Sequence, residues 1–142
     1  MLMAFNQSEY NKTIRGIAVT ACKASKRRAR IKNLPFNLTS NYLESIFPKN
    51  FRCPILNYKM RVSNKSLGRL SPTLDRINPR KGYTKGNVEF VANIANMIMS
   101  NATGKDIRKF VKWATKKYNI TREEIYGKRY NIYKTHKLWA LW

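Results

Sequence analysis

Apolar residues recur every three to four positions at Tyr10, Ile14, Ile17, Ala18, Ala21 and Ala24, which predicts one long helix over residues 8–33. Ser8 stands where an N-cap belongs, and Glu9 follows at the positive end of the helix dipole. Leu34-Pro35-Phe36-Asn37-Leu38 breaks the pattern and reads as extended, because Pro35 disfavours helical geometry at Leu34. Thr39 or Ser40 then caps a short helix through Tyr42, Leu43, Ile46 and Phe47, which Pro48 stops. Residues 51–56 predict an apolar edge that leads into a loose hairpin. Residues 61–69, with Ser63, Asn64, Lys65, Ser66 and Gly68, predict an exposed connection.

Residues 70–77 predict a strand, 78–87 a long loop punctuated by Pro79 and Gly82, and 88–91 a second short strand. Residues 92–100 carry Ile94, Ala95, Ile98 and Met99 at helical spacing. Thr103-Gly104-Lys105-Asp106 has the spacing of a capping box and opens a helix with Ile107, Phe110, Val111 and Trp113 on one face. Thr121-Arg122-Glu123-Glu124 is a second such box, for a short helix ending at Gly127. The tail, 128–142, mixes Tyr130, Tyr133, Trp139 and Trp142 with Arg129, Lys134 and Lys137. The pattern implies an α+β chain, mainly helical, with two short antiparallel strands and a helix at its centre. At 142 residues it is expected to be a single domain. Its parts are a basic N-terminal helix (8–33), a central core (53–103), and C-terminal helices with a basic aromatic tail (104–142).

Charge changes the picture. The chain has 29 Lys and Arg against 7 Asp and Glu, a formal net charge of +22. Such an excess only adds self-repulsion unless a polyanion is the partner, and nucleic acid rewards many cations at once. Lys23, Lys26, Arg27, Arg28, Arg30 and Lys32 would repel one another on an isolated helix, so they are expected to face phosphate. No run is long enough to span a bilayer, and Met1-Leu2-Met3-Ala4-Phe5 is too short and uncharged for a secretory signal. Cys22 and Cys53 allow at most one disulfide and cannot alone hold a structural zinc. His136 is the only histidine, which excludes a site needing two imidazoles within one chain. The expected setting is a reduced cytoplasmic one, with no membrane partner.

The densest chemistry lies in Ser71-Pro72-Thr73-Leu74-Asp75-Arg76-Ile77-Asn78-Pro79-Arg80-Lys81-Gly82-Tyr83-Thr84-Lys85-Gly86-Asn87-Val88, followed by Asn93 and Asn96. Asp75, one of two aspartates, ends an apolar run. The chain then makes a Pro/Gly/Tyr excursion and returns through a strand to an Asn-bearing helix. A strand-end carboxylate and an amide oxygen suit one hard divalent cation, with water and phosphate oxygens completing the shell.

The stretch resembles the ββα-metal finger of HNH (His-Me) endonucleases. It is most similar to a small phage-type group that reads S-P-S-L-D-R-I-D-P-x-x-G-Y-x-x-G-N-V, then A-N and S-D-A-T. Ala95-Asn96 and Ser100-Asn101-Ala102-Thr103 match the later elements. Arg27-Arg28-Ala29-Arg30, Leu34–Thr39 and Cys53-Pro54-Ile55-Leu56 resemble the group upstream, so the likeness covers roughly residues 21–115. The resemblance implies Asp75, Arg76, Asn87 and Asn96 as the catalytic set. Asp75 and Asn96 would bind Mg2+ or Mn2+, with Asn93 as substitute ligand in another register. Asn87 would tie the loop. Arg80, Lys81 and Lys85 would lie near the cut phosphates. The implied activity is metal-dependent cleavage of double-stranded DNA by a monomer or homodimer, as a homing-type or phage-encoded enzyme acting in a bacterial host.

The chain departs from the family in three places. Arg76 stands where a water-activating His is usual, although some members of the group also read Asp-Arg, and a guanidinium stays protonated at working pH. Arg76 is therefore expected to clamp phosphate, leaving metal-bound hydroxide, Tyr83 or His136 as the proton acceptor. Met99 stands where Lys is frequent. Paired Cys-x-x-Cys knuckles are missing, so packing by Phe36, Leu38, Phe47, Ile55 and Leu56 is expected to replace zinc. The alternatives are a catalytically silent nucleic-acid-binding protein on the same scaffold, or an RNA-binding or interaction role with the eight Tyr and three Trp as stacking surfaces.

Overall fold

The computed structural model describes residues 6–63, 66–100, 102–121 and 123–124. It is a mixed α/β structure with five helices and a two-stranded antiparallel sheet among these residues. The chain divides into two compact units, 1–100 and 101–142, where the sequence reading takes one domain.

The first unit begins with α1 (Gln7–Lys12) and α2 (Ile14–Ile31), so the single helix expected over 8–33 is corrected to two. Asn6, not Ser8, caps α1 by accepting from the Ser8 and Glu9 amides. The break is made by Thr13, whose extended backbone (φ −73°, ψ 155°) interrupts the helix. Its hydroxyl donates to Tyr10 O at 2.7 Å and accepts from Gly16 N at 3.0 Å, so a side chain takes over groups that a continuous helix would pair. Gly16 permits the tight corner, since a Cβ there would stand 2.1 Å from Tyr10 O. Asn33, at φ 49°, ends α2 in a left-handed turn that lets Leu34 N reach Ala29 O at 2.9 Å.

Residues 35–38 run extended, with Phe36 bridged to Tyr83. Thr39 then caps α3 (Ser40–Ile46). The loose hairpin is present as an Arg52–Lys59 bridge with Met60 N bonded to Phe51 O at 2.7 Å. Leu38 and Phe47 are buried and Phe36 and Leu56 partly so, but Ile55 is 44% exposed, which corrects its expected place in the packing. It sits in the hairpin turn, where no second layer covers it.

The sheet pairs β1 (Pro72–Arg76) with β2 (Val88–Ala92), Leu74 opposite Phe90 and Asp75 opposite Glu89. Leu74 and Phe90 face the core, where the Phe90 ring lies 5.0 Å from that of Phe47. Helix α4 (Asn93–Met99) follows β2 directly and packs on both strands, while α2 packs on α1, α3 and β1.

The loop between the strands is seated by Gly82, at φ +73°. A Cβ there would stand 2.5 Å from Pro35 O, the acceptor of the Tyr83 amide. Gly82→Ala combines a left-handed backbone with a backbone clash, so it is expected to cost more than about 2 kcal/mol and to lower Tm by about 10 °C. A circular-dichroism melt within experimental scatter of the parent would contradict that seat.

The second unit contains α5 (Gly104–Lys117), opened by the expected capping box. Hydrogen bonds from Thr103 hold the Asp106 carboxyl below its ordinary range. Phe110, Val111 and Trp113 are about half exposed, at 54%, 49% and 52%. Thr121 donates to the Glu124 carboxylate from its amide at 2.7 Å and its hydroxyl at 2.9 Å. The expected continuation to Gly127, and the tail with Tyr130, Tyr133, His136, Trp139 and Trp142, lie outside the described residues. No helix among the described residues is long and apolar enough to cross a membrane.

Candidate functional site

Strand alternation gives the sheet two unlike faces. Leu74 and Phe90 point into the core, while Thr73 and Asp75 share the other face with Glu89 and Val91. The Thr73 hydroxyl donates to Val91 O at 3.1 Å, and Asn96 Nδ2 on α4 donates to that same hydroxyl at 3.3 Å. Asn96 therefore stands on the face that carries Asp75, one two-residue step (roughly 6.8 Å) along the strand. Its amide oxygen accepts no hydrogen bond among the described residues. Asn93 is the first residue of α4, and its backbone amide bonds Ser71 O at 2.8 Å.

Glu89 is the site residue that sequence reasoning missed. It lies directly across the strand pair from Asp75, so the two Cβ atoms are about 5 Å apart. Burial, then the facing Asp75, pushes the Glu89 carboxyl above its ordinary range. The ion pairs among the described residues are Lys12–Glu9 and Arg15–Glu44, so neither Asp75 nor Glu89 has a cationic partner there. No group of three His, Cys, Asp or Glu side chains gathers among the described residues. The oxygen donors on this face are the facing Asp75 and Glu89 carboxylates and, beside Thr73, the Asn96 amide oxygen.

This pair has a pH signature. The folded-state pKa of Glu89 lies above its unfolded value of about 4.3, so ionising it disfavours the folded state. The cost is absent below the unfolded pKa and complete once pH exceeds the folded one. In metal-free buffer, Glu89→Gln is expected to raise Tm at pH 7, with the gap closing below about pH 4. A parent protein that melts at or above the variant at pH 7 in EDTA would refute the repulsion.

Asn87 is buried and spends its whole side chain on the loop. Oδ1 accepts from Asn78 N at 2.9 Å, while Nδ2 donates to Asn78 O at 2.9 Å and Gly82 O at 2.8 Å. Ile77 N reaches Asn87 O at 3.0 Å, extending the strand pairing past β1. The Asn87 amide thus ties the two ends of loop 78–87, beside the Lys81 N–Asn78 O and Asn87 N–Thr84 O bonds.

Arg76 alternates to the face away from Asp75. Its Nη1 donates to Pro79 O at 2.7 Å, and its Cζ lies 5.0 Å from the Tyr83 ring centroid. The Tyr83 hydroxyl accepts from Arg28 Nε at 3.0 Å, with the Arg28 Cζ 5.4 Å from the same ring. The Tyr83 phenol, a candidate proton acceptor in the sequence, is thus buried and already engaged by a guanidinium. The remaining proton-acceptor candidate in the sequence, His136, is outside the described residues.

The cationic run of α2 is divided by the helix. Lys23, Lys26, Arg27 and Arg30 are exposed and line a shallow groove with Leu34 and Phe36. Lys32 is exposed at the C-cap, and Arg28 alone turns inward to Tyr83. Arg80 and Lys81 are exposed on the inter-strand loop, and Lys85 holds its Nζ 5.8 Å from the Tyr42 ring centroid. Cys22 and Cys53 are free thiols.

No family model, curated protein or solved structure matches the chain.

Proposed function

We propose that this protein is a metal-dependent endonuclease of HNH type, cleaving a phosphodiester bond of double-stranded DNA, with β1, β2 and α4 as its ββα-metal finger. The observation that carries the reading is the facing pair of Asp75 and Glu89. Like charges directly opposite in a strand pair destabilise the sheet. In a chain with 29 Lys and Arg, these two carboxylates nevertheless have no cationic side chain as partner among the described residues. A divalent cation resolves that repulsion. The donors are all oxygen, from two carboxylates and the Asn96 amide, which suits Mg2+ or Mn2+ and gives zinc no thiolate or imidazole.

The chain's own residues divide the work. Asp75 and Asn96 would hold the ion and Glu89 would add the second negative charge beside it. Asn87 keeps loop 78–87 in one conformation, so that Arg80, Lys81 and Lys85 meet the backbone in fixed places. The exposed cations of α2 extend the grip along the duplex without reading its sequence. The bound ion supplies stabilisation of charge on the scissile phosphate and the leaving oxygen. In the reaction, water adds to phosphorus and gives up a proton to solvent, the ester P–O bond breaks, and the departing oxygen takes up a proton from solvent.

The position of Arg76, away from Asp75, favours the second reading of a silent nucleic-acid-binding scaffold, because it sets no phosphate-clamping guanidinium beside the carboxylates. Two measurements separate them. Supercoiled plasmid should be nicked with Mg2+ or Mn2+ and not in EDTA, and Mn2+-soaked crystals should show an anomalous peak between Asp75 and Asn96. Uncut plasmid and no peak would leave only the binding role. Competition among duplex DNA, single-stranded DNA and RNA at matched salt tests the substrate, and duplex losing would transfer the site to single strands.

A further inference from the structure

Arg28 and Arg76 come from distant parts of the chain, the last turn of α2 and the end of β1, and meet at one aromatic ring. Each is only partly satisfied. Arg28 uses Nε on the Tyr83 hydroxyl and Arg76 uses Nη1 on Pro79 O, which leaves further N–H donors on both guanidiniums without partners among the described residues. Neither has a carboxylate partner there. Both are half-buried, and two such cations near one ring repel each other more than they would in open water. The ring offsets part of that through its π-face.

The platform is rigid. Tyr83 N bonds Pro35 O at 2.9 Å, Tyr83 O accepts from Asn37 N at 3.2 Å, and Asn87 holds the adjacent Gly82 carbonyl. Arg28 also opens on a cleft between α2 and β1, lined by Thr20, Ala24, Ser71 and Thr73, so an incoming group has access to it.

We infer that Arg28 and Arg76, set in place by Tyr83, form a binding site for the phosphodiester backbone next to the cleavage position. This deepens the proposed nuclease reading and rests on it for the identity of the polyanion. Planar guanidiniums bind phosphate oxygens through paired N–H donors, and a fixed pair fixes the register of the strand. Since Arg76 faces away from Asp75, the phosphate held here is a neighbour of the scissile one. Tyr83 is the positioning residue.

The test uses the full chain and a fluorescein-labelled duplex in EDTA, where nothing is cut, with anisotropy followed across a potassium chloride series. Arg28→Gln and Arg76→Gln are each expected to weaken binding about fivefold near 0.1 M salt and to lower the salt slope by about 0.9. Lys49→Gln, at an exposed position outside the site, controls for bulk charge and should do much less. Tyr83→Phe keeps the ring and loses only the hydroxyl. It should weaken binding in the parent but not in the Arg28→Gln background, a coupling that a purely structural tyrosine would not produce. Arg28→Gln and Arg76→Gln proteins that melt like the parent and bind no worse than Lys49→Gln would overturn the proposal, as would a Tyr83→Phe effect that simply adds to Arg28→Gln. Failure of the parent to nick plasmid with Mn2+ would instead defeat the nuclease reading, while these binding differences would still stand.

Discussion

If the proposed nuclease reading holds, Asp75→Ala is expected to remove metal-dependent nicking of supercoiled plasmid, by about 10³-fold or more, while duplex affinity in EDTA holds or rises. The two halves of this result have separate causes. Asp75 is one of two carboxylates on the sheet face, and without it Glu89 and the Asn96 amide make a poor oxygen set for a small hard cation. On that reading, binding would rest on the many exposed cations, and deleting an anion beside the proposed phosphate path would only lessen repulsion. The variant should also melt no lower than the parent in EDTA, since it relieves the strain against Glu89. Adding Mn2+ should then raise the Tm of the parent and leave that of the variant unmoved. Equal, metal-independent cutting by both preparations would sink the hydrolytic assignment.

Asn87→Ala is expected to be the most destabilising single change in the inter-strand loop. It strands the Asn78 amide and the buried Gly82 carbonyl, and leaves the Asn78 carbonyl only its bond from Lys81 N. Buried backbone groups left unpaired cost about 1–3 kcal/mol each, and water entry relieves part of it, so a net loss of about 3 kcal/mol is expected. That corresponds to a fall in Tm of more than about 10 °C. Asn87→Asp should do little better, because it keeps the acceptor for Asn78 N but turns a negative charge on two carbonyl oxygens. A thermal melt of Asn87→Ala within about 2 °C of the parent would show that the loop does not depend on this amide. Because Gly82 precedes Tyr83, the same variant should loosen the seat of Arg28 and Arg76 and weaken duplex binding beyond what its lost stability explains.

Several elements were legible from local chemistry alone. Thr103 and Asp106 announce the start of α5, Thr39 caps α3, and Pro35 keeps its neighbourhood extended. These signals are short-ranged, since a cap or a proline acts within about four residues. The break at Thr13 was also written in the chain, but it was hidden by apolar spacing that continues through it. The decisive fact is the close approach of Gly16 to Tyr10 O, a backbone contact that periodicity does not encode. Ile55 misled for a related reason: hydrophobicity names a candidate for the core, not whether another layer arrives to cover it.

The site divides along the same line. Residue types and order alone set the large cationic excess, the absence of any two-imidazole centre, and a carboxylate-bearing strand followed by an Asn-bearing helix. What the sequence left open was everything that depends on register across the loop of residues 77–87. Only pairing Arg76 with Val88 sets Glu89 against Asp75, and a shift of one residue would have turned Glu89 into the core. Only packing of α2 against β1 separates Arg28 from its five cationic neighbours and carries it to Tyr83. Charge, capping and composition are properties of residues and their near neighbours, so the chain determines them as it stands. Which charges face one another depends on contacts between segments many residues apart, and those exist only once the sheet has closed and the helices have packed on it.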